Sequence, residues 1–171
     1  MRYIKATSGF FMNFNEENLK TALSGKAFGS PLYFFPSTES TNYQAFKLAG
    51  EGAPEGAAVV ADHQTQGRGR MQRVWLSPSA VNLYTSVILR PALAAAFSAP
   101  LTIMAGVAVT ELLAGYCPQQ VQLKWPNDVL INGKKASGIL TEMKTTGKNV
   151  EFVIVGIGIN INMKKKDFLP P

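Results

Sequence analysis

The sequence predicts an α+β fold, a mixed and mostly antiparallel sheet with helices packed on one face. Three observations carry this expectation. Short apolar runs bounded by turn residues recur along the chain, helical periodicity sets in at Ser98, and the last third reads as strands joined by tight turns. Helices between the earlier strands and a strand meander at the end imply layers packed around one core. The chain of 171 residues is expected to be a single domain, 1–171, large enough to bury about two-thirds of its unfolded surface.

The elements follow in order. Asn15 to Gly25 reads as a helix: Asn15 can accept from a free first-turn amide, Glu16 and Glu17 suit the positive end of the helix dipole, and Gly25 lies past the end. Pro31 to Phe35 is an apolar run of strand length. Thr41, with Gln44 three positions later, forms a capping-box pattern that opens a second helix, stopped by Gly50 and Gly52. Ala57 to Ala61 is a second strand, leading into His63-Gln64-Thr65-Gln66 and a Gly-Arg segment. Asn82 to Leu89 alternates as a third strand ended by Pro91. From Ser98, residues Leu101, Met104, Ala105, Ala108 and Leu112 fall at spacings of three and four; Pro100 is tolerated in the first turn, and Gly115 and Pro118 end the helix. Val121 to Lys124 and Asp128 to Ile131 lead into Asn132-Gly133, a strong hairpin signal because both residues accept positive φ. Lys135 to Met143 returns antiparallel, residues 146–149 turn again, and Val150 to Ile161 closes the chain as a long apolar strand.

Composition narrows the function classes. The one cysteine, Cys117, excludes an internal disulfide framework and a cysteine metal cluster, and suits a small buried hydrophobe. His63 is the only histidine, which removes most metal sites and histidine-based triads. Seventeen basic against eleven acidic residues give a net charge of +6, suited to anionic partners such as nucleotides, nucleic acid or an acidic protein. No apolar run reaches membrane-spanning length, and the stretch from Leu101 to Leu113 reads as a buried helix. The N-terminal residues lack a secretory core, so a cytoplasmic location is expected, with no membrane partner.

Chemistry concentrates in three stretches. Gly67-Arg68-Gly69-Arg70-Met71-Gln72-Arg73-Val74-Trp75 joins close-approach glycines to planar guanidinium donors, an arrangement suited to gripping carboxylate or phosphate. The same Arg-Gly spacing also occurs in solvated basic loops and RNA-binding segments. Lys124-Trp125-Pro126-Asn127-Asp128 places a carboxylate that can take Mg²⁺ beside a cation and an indole, although Pro-Asn-Asp is also ordinary turn chemistry. Lys135 can protect a strand edge or hold a phosphate-linked carboxylate. Gly138, Gly156 and Gly158 within strands indicate that a ligand or another backbone comes close to the sheet.

Taken together, GRGRMQRVWLSP, KWPNDVLINGKKASGILTE and VIVGIGIN, with STN upstream, resemble the catalytic domain of biotin protein ligases over residues 40–162. The resemblance implies a biotin/lipoate ligase-like fold, related to class II aminoacyl-tRNA synthetase cores. It also implies an ATP-dependent enzyme that activates biotin to biotinyl-5′-AMP and transfers it to a lysine of the biotin carboxyl carrier protein of a carboxylase of the acetyl-CoA carboxylase type. Biotin, ATP and Mg²⁺ are the implied ligands. By the resemblance, Ser40, Thr41, Asn42 and Gln64 meet the biotin ring system, where hydroxyl and amide groups suit a neutral ureido group. Arg68, Gly69 and Arg70 close over the biotin carboxylate and adenylate phosphate, and Lys135 contacts the same region. Arg68, Arg73, Trp75, Asn127 and Asn160 approach the nucleotide, and Asp128 the metal; Arg70, Lys135 and Asp128 are the implied catalytic residues. Because it has to keep water off a reactive anhydride, the loop is expected to be mobile when empty and ordered when ligand arrives.

Fewer than 40 residues precede Ser40, so the resemblance implies a chain without the family's N-terminal DNA-binding module. The chain stops at Pro170-Pro171, short of the family's C-terminal small β-barrel, which implies a truncated domain with activity in question. No nucleic acid partner is expected, and a homodimer through the central sheet stays open. Two alternatives stand beside this reading. A lipoate or octanoate ligase shares the scaffold, and a nucleic-acid-binding module would betray itself by steep salt dependence.

Overall fold

The computed structural model describes residues 15–117 and 120–163. Seven strands form one sheet in the order β1-β2-β3-β7-β6-β5-β4, with α1 before β1, α2 between β1 and β2, and α3 between β3 and β4. The strands are Leu32–Thr38 (β1), Ala58–Gln64 (β2), Asn82–Leu89 (β3), Val121–Lys124 (β4), Asp128–Ile131 (β5), Lys134–Thr146 (β6) and Asn149–Asn160 (β7). Only β1 and β2 pair in parallel; every other neighbour is antiparallel, as the sequence predicts. Asn132 and Gly133 take φ values of 49° and 73°, so the Asn-Gly turn joins β5 to β6 as expected.

The helices are α1 (Glu16–Leu23), α2 (Thr41–Gly50) and α3 (Ala99–Tyr116). Asn15 caps α1 by accepting from Asn18 N at 2.9 Å. The helices do not share one face. Alternation along β3 and β7 sends Ile88, Phe152 and Ile154 to one side, where Ala45 and Ala49 of α2 pack. Val153, Val155 and Ile159 point to the other side and meet Val109 and Leu113 of α3. Leu19 and Leu23 of α1 pack on that same side against Leu32, Ala58 and Val60. Splitting the helices this way leaves the surface beside α2 open over β6 and β7.

Two local expectations change. The capping box does not form, because Ser40 is the N-cap of α2 and makes no side-chain cap bond. Thr41 lies inside the first turn, and its hydroxyl and amide both go to Gln64. Residues Ala95–Tyr116 are long and apolar enough to cross a membrane by length and composition, and only 17% of the stretch is buried. The helix packs on β4, β5 and β6 through one stripe, with Gly106 and Leu123 in contact, and leaves Met104, Val107 and Leu112 exposed. Cys117 is buried as expected, and burial pushes its thiol pKa up. The helix stop at Pro118, the N-terminal stretch before Asn15 and the terminal Pro170-Pro171 lie outside the described residues.

Candidate active site

The open surface beside α2 is floored by β3, β6 and β7. In the register of β6 on β7, Gly138 faces Gly158 and Leu140 faces Gly156, so two adjacent strands present a floor almost without side chains. The occupants of that floor are the chain's own side chains rather than another backbone. A Cβ at Gly158 would stand 2.6 Å from the Trp75 indole, and one at Gly138 2.9 Å from it. The Asn42 amide lies over Gly156 in the same way. The strand glycines are thus seats for an indole and an amide.

Each wall is positioned by local structure. The Gly-Arg segment forms a small ladder, with Arg68 bridged to Val74, Gly69 N donating to Arg73 O at 2.7 Å and Trp75 N to Gly67 O at 2.9 Å. The tip is tight: Met71 and Gln72 both take positive φ, at 54° and 60°. Gly67 is required because any Cβ would collide with the Trp75 carbonyl oxygen. Opposite the loop, the turn between β4 and β5 is stapled to β6, Asn127 Nδ2 donating to Ile139 O at 2.9 Å and Ile139 N to Asn127 O at 2.8 Å. Arg70 Nη1 donates to Asn127 Oδ1 at 3.1 Å and so latches the loop to that turn.

Lys135 reaches the site because the strand is irregular. Without the register shift between Val129 and Leu130, Lys135 would face Ile131, whose side chain is in the core on the far side. The shift pairs it with Leu130 instead, on the side of Asp128 and Gly138. Its ammonium then lies 2.7 Å from Asp128 Oδ1 and 5.3 Å from the centre of the Trp75 ring. The pair is partly open to solvent, the side chains being 44% and 23% exposed. Arg68 and Arg73 form no side-chain hydrogen bond or ion pair with the described residues, so the loop carries guanidinium charge without a direct partner among them.

A buried polar chain forms the inner end. Thr41 N donates to Gln64 Oε1 at 2.8 Å, and Thr41 Oγ1 lies 3.2 Å from the same oxygen. Gln64 Nε2 donates to Ser77 Oγ at 2.8 Å, and Ser77 Oγ to the Trp75 carbonyl at 3.0 Å. Ser86 Oγ lies 2.8 Å from Thr41 Oγ1 and 2.7 Å from Asn42 Oδ1. One continuous network therefore runs from α2 through β2 and β3 to the root of the arginine loop.

All these elements enclose a cavity of about 560 Å³. The residues that the resemblance assigns to the site all line it, namely Ser40, Thr41, Asn42, Gln64, Arg68, Gly69, Arg70, Arg73, Trp75, Asn127, Asp128, Lys135 and Asn160, whereas Lys124 and Trp125 of the second stretch do not. Asp128 is the one carboxylate in that lining among the described residues, and no cluster of three or more His, Cys, Asp or Glu side chains could hold a metal among them. A single carboxylate suits Mg²⁺ carried by nucleotide phosphates, not a cage built by the protein alone.

Several contributors were missed in the sequence. Ser77 and Ser86 are buried members of the polar chain, and Glu142 holds Asn42 at 2.7 Å. Tyr84 lines the cavity, donates to Pro78 O at 3.0 Å and has its pKa pushed up to about 12 by burial. The alternation of β3 and of Gly138, Leu140 and Glu142 carried the signal, since these share the glycine face.

Comparison with known proteins adds the following. Residues 34–160 match the model of the biotin/lipoate A/B protein ligase family. The bifunctional ligase/repressor BirA of Bacillus subtilis is 44% identical over 154 residues, 90% of this chain and 47% of that protein. The biotin–[acetyl-CoA-carboxylase] ligase of Paracoccus denitrificans is 43% identical over 126 residues, 72% of this chain and 52% of that protein. Among solved structures, the biotin protein ligase of Aquifex aeolicus in complex with biotin and ATP aligns with a TM-score of 0.64 at 37% identity, covering 81% of this chain and 54% of that one. The chain spans about half the length of the curated relatives it matches.

Proposed function

The chain belongs to the biotin/lipoate A/B protein ligase family, and on that basis we propose that it is an ATP-dependent biotin protein ligase whose catalytic region takes in residues 34–160. It activates biotin to biotinyl-5′-AMP and hands the biotinyl group to a lysine of a biotin carboxyl carrier protein. The observation that supports this most directly is the meeting, in one cavity, of a neutral amide and hydroxyl pocket with a cationic loop and the Lys135–Asp128 pair. Such a cavity has one end fit for a ureido ring and another fit for carboxylate and phosphate.

In the first step the biotin carboxylate attacks the α-phosphorus of ATP and pyrophosphate leaves. In the second, the neutral amine of the acceptor lysine attacks the acyl carbon, AMP leaves, and the amine loses a proton. Neither step needs a protein nucleophile, in keeping with a chain that has one histidine and one buried cysteine. Rate enhancement comes from orientation, worth about 7–11 kcal/mol when reactants are well aligned, and from cations placed where phosphate charge develops. Thr41, Asn42 and Gln64 bind the ring. Lys135 and Arg70 hold carboxylate and phosphate oxygens, Arg68 and Arg73 add charge around the nucleotide, and Trp75, Asn127 and Asn160 flank it. Mg²⁺ on the phosphates, taken by Asp128, would further neutralise their charge. The loop, with the apolar side chains of Met71, Val74 and Leu76, keeps water from the anhydride.

A cytoplasmic location and the absence of a nucleic acid partner belong to the same proposal. The deciding experiment incubates the chain with labelled biotin, Mg²⁺-ATP and a carrier domain, and detects the adenylate and the biotinylated lysine separately. Failure to bind labelled biotin refutes the reading. Preferential binding of lipoate in competition assigns the chain to the lipoate branch instead.

A further inference from the structure

Asn42 is the side chain whose orientation decides what the inner end of the cavity offers a ligand. Its amide nitrogen has two hydrogens, and both are committed to β6: Nδ2 donates to Leu140 O at 3.2 Å and to Glu142 Oε2 at 2.7 Å. The oxygen side turns the other way. Oδ1 accepts from Ser86 Oγ at 2.7 Å and retains a second lone pair. Asn42 lines the cavity, whereas Glu142 lies behind it in the outer groove beneath the arginine loop. Glu142 reaches the inner pocket through the amide.

An asparagine amide is nearly symmetric in shape, so the surroundings choose between its two orientations. Flipping Asn42 would set Oδ1 against a carbonyl and a carboxylate, two acceptors with no hydrogen between them. The bond to the ionised carboxylate is the shorter of the two and the stronger by its charge. Asn42 is only 6% exposed, and Gly156 lets it sit directly on the sheet, so its amide is held by protein groups on both sides. Gln64 is fixed in the complementary sense, its oxygen taken by Thr41 and one N–H by Ser77, which leaves a second N–H to give. The inner pocket thus offers one acceptor, on Asn42, and one donor, on Gln64.

We propose that Glu142 is a positioning residue that locks Asn42 as a hydrogen-bond acceptor, so that the pocket selects a head group presenting an N–H beside a C=O and rejects one without that N–H. The inference rests on the biotin reading above and deepens it. A cyclic urea meets this demand; the dithiolane of a lipoyl group or a plain alkyl chain has no hydrogen to donate there. A site built to bond a substrate N–H discriminates strongly against analogues lacking it, because its own polar group is then left unpaired.

The test uses calorimetric titration of Glu142→Ala and Glu142→Gln with biotin, with biotin methylated on its ureido nitrogens, and with ATP. Glu142→Ala should weaken biotin about tenfold or more, and Glu142→Gln, whose amide oxygen can still accept from Asn42, should stay within a few-fold of the wild type. Methylated biotin should bind weakly to all three proteins with little difference among them, and ATP should bind them alike. Biotin binding unchanged in Glu142→Ala overturns the inference, as does an equal loss for biotin, methylated biotin and ATP. Should Glu142→Ala not fold, the Asn42 side-chain amide protons in the wild type decide: both should stay protected from exchange when biotin binds, and loss of that protection overturns the inference. A wild-type chain that binds no biotin refutes the proposed substrate and this inference with it, an outcome separate from normal biotin binding that ignores Glu142.

Discussion

Gly158→Ala tests the glycine floor with a single methyl group. The added Cβ would stand 2.6 Å from Trp75 Cε2 and Nε1 and 2.7 Å from Cζ2. Carbon atoms rest at about 3.5–4.0 Å, so the indole must retreat by roughly 1 Å. If the ring stays and the sheet yields, overpacking costs about 1–3 kcal/mol. At roughly 2–4 °C per kcal/mol for a domain near this size, the melting temperature falls by about 2–12 °C. If the ring lifts, it drags the loop with it, because Trp75 N is bonded to Gly67 O and Arg70 is latched to Asn127. Stability then changes less, while the stabilisation produced by biotin with Mg²⁺-ATP is lost. Gly115→Ala is the control: no atom lies within 4 Å of its Cβ site near the end of α3, and alanine there should stabilise by up to about 1 kcal/mol. The assay is thermal denaturation with and without ligands, together with Trp75 fluorescence in a Trp125→Phe background. A Gly158→Ala protein with wild-type melting, wild-type Trp75 emission and full ligand stabilisation refutes the view that the indole is seated on the strand glycines.

Three further outcomes follow from the geometry. Arg70→Ala removes the latch to Asn127 and a cation from the cavity; biotinyl-AMP should leak into solution and transfer should slow by about 100-fold, measured by chromatographic separation of adenylate and product. Gln64→Ala strands the buried Thr41 amide, and urea denaturation should show a loss of about 1–3 kcal/mol, alongside weakened biotin binding. Tyr84 makes alkaline stability pH-dependent. Its folded pKa of about 12 exceeds the ordinary value of 10.0, so the neutral phenol's contribution is full below about pH 10 and disappears as pH rises through about 12. A shift of that size corresponds to about 2–3 kcal/mol. Tyr84→Phe should flatten that part of the stability profile, and an unchanged profile would refute the assignment.

Much of the architecture was written locally. The cap at Asn15, the Asn132-Gly133 turn, the alternation of β3 and the three-four spacing of α3 each depend on residues within a few positions of one another. The motif residues could also be recognised one by one. The capping-box expectation failed because a long-range partner, Gln64, competed successfully for Thr41. The helix around Leu101 to Leu113 looked buried because its apolar character extends all round, yet a sheet covers only one stripe of a helix.

By itself, then, the sequence determined which segments fold as helix and strand, where they turn, and which residue types were available for a cationic loop and a polar pocket. Only the tertiary structure decided that β7 inserts between β3 and β6, that α2 crosses to the face opposite α1 and α3, that a one-residue irregularity in β5 and β6 turns Lys135 away from the core, and that Trp75 and Asn42 occupy the glycine floor. Periodicity and turn chemistry act over a few residues and leave a local pattern. Strand order and the orientation of the Asn42 amide arise from contacts between segments tens of residues apart, whose partners become neighbours only when the chain has closed, and the aim of Lys135 comes from a one-residue slip in the pairing of β5 with β6.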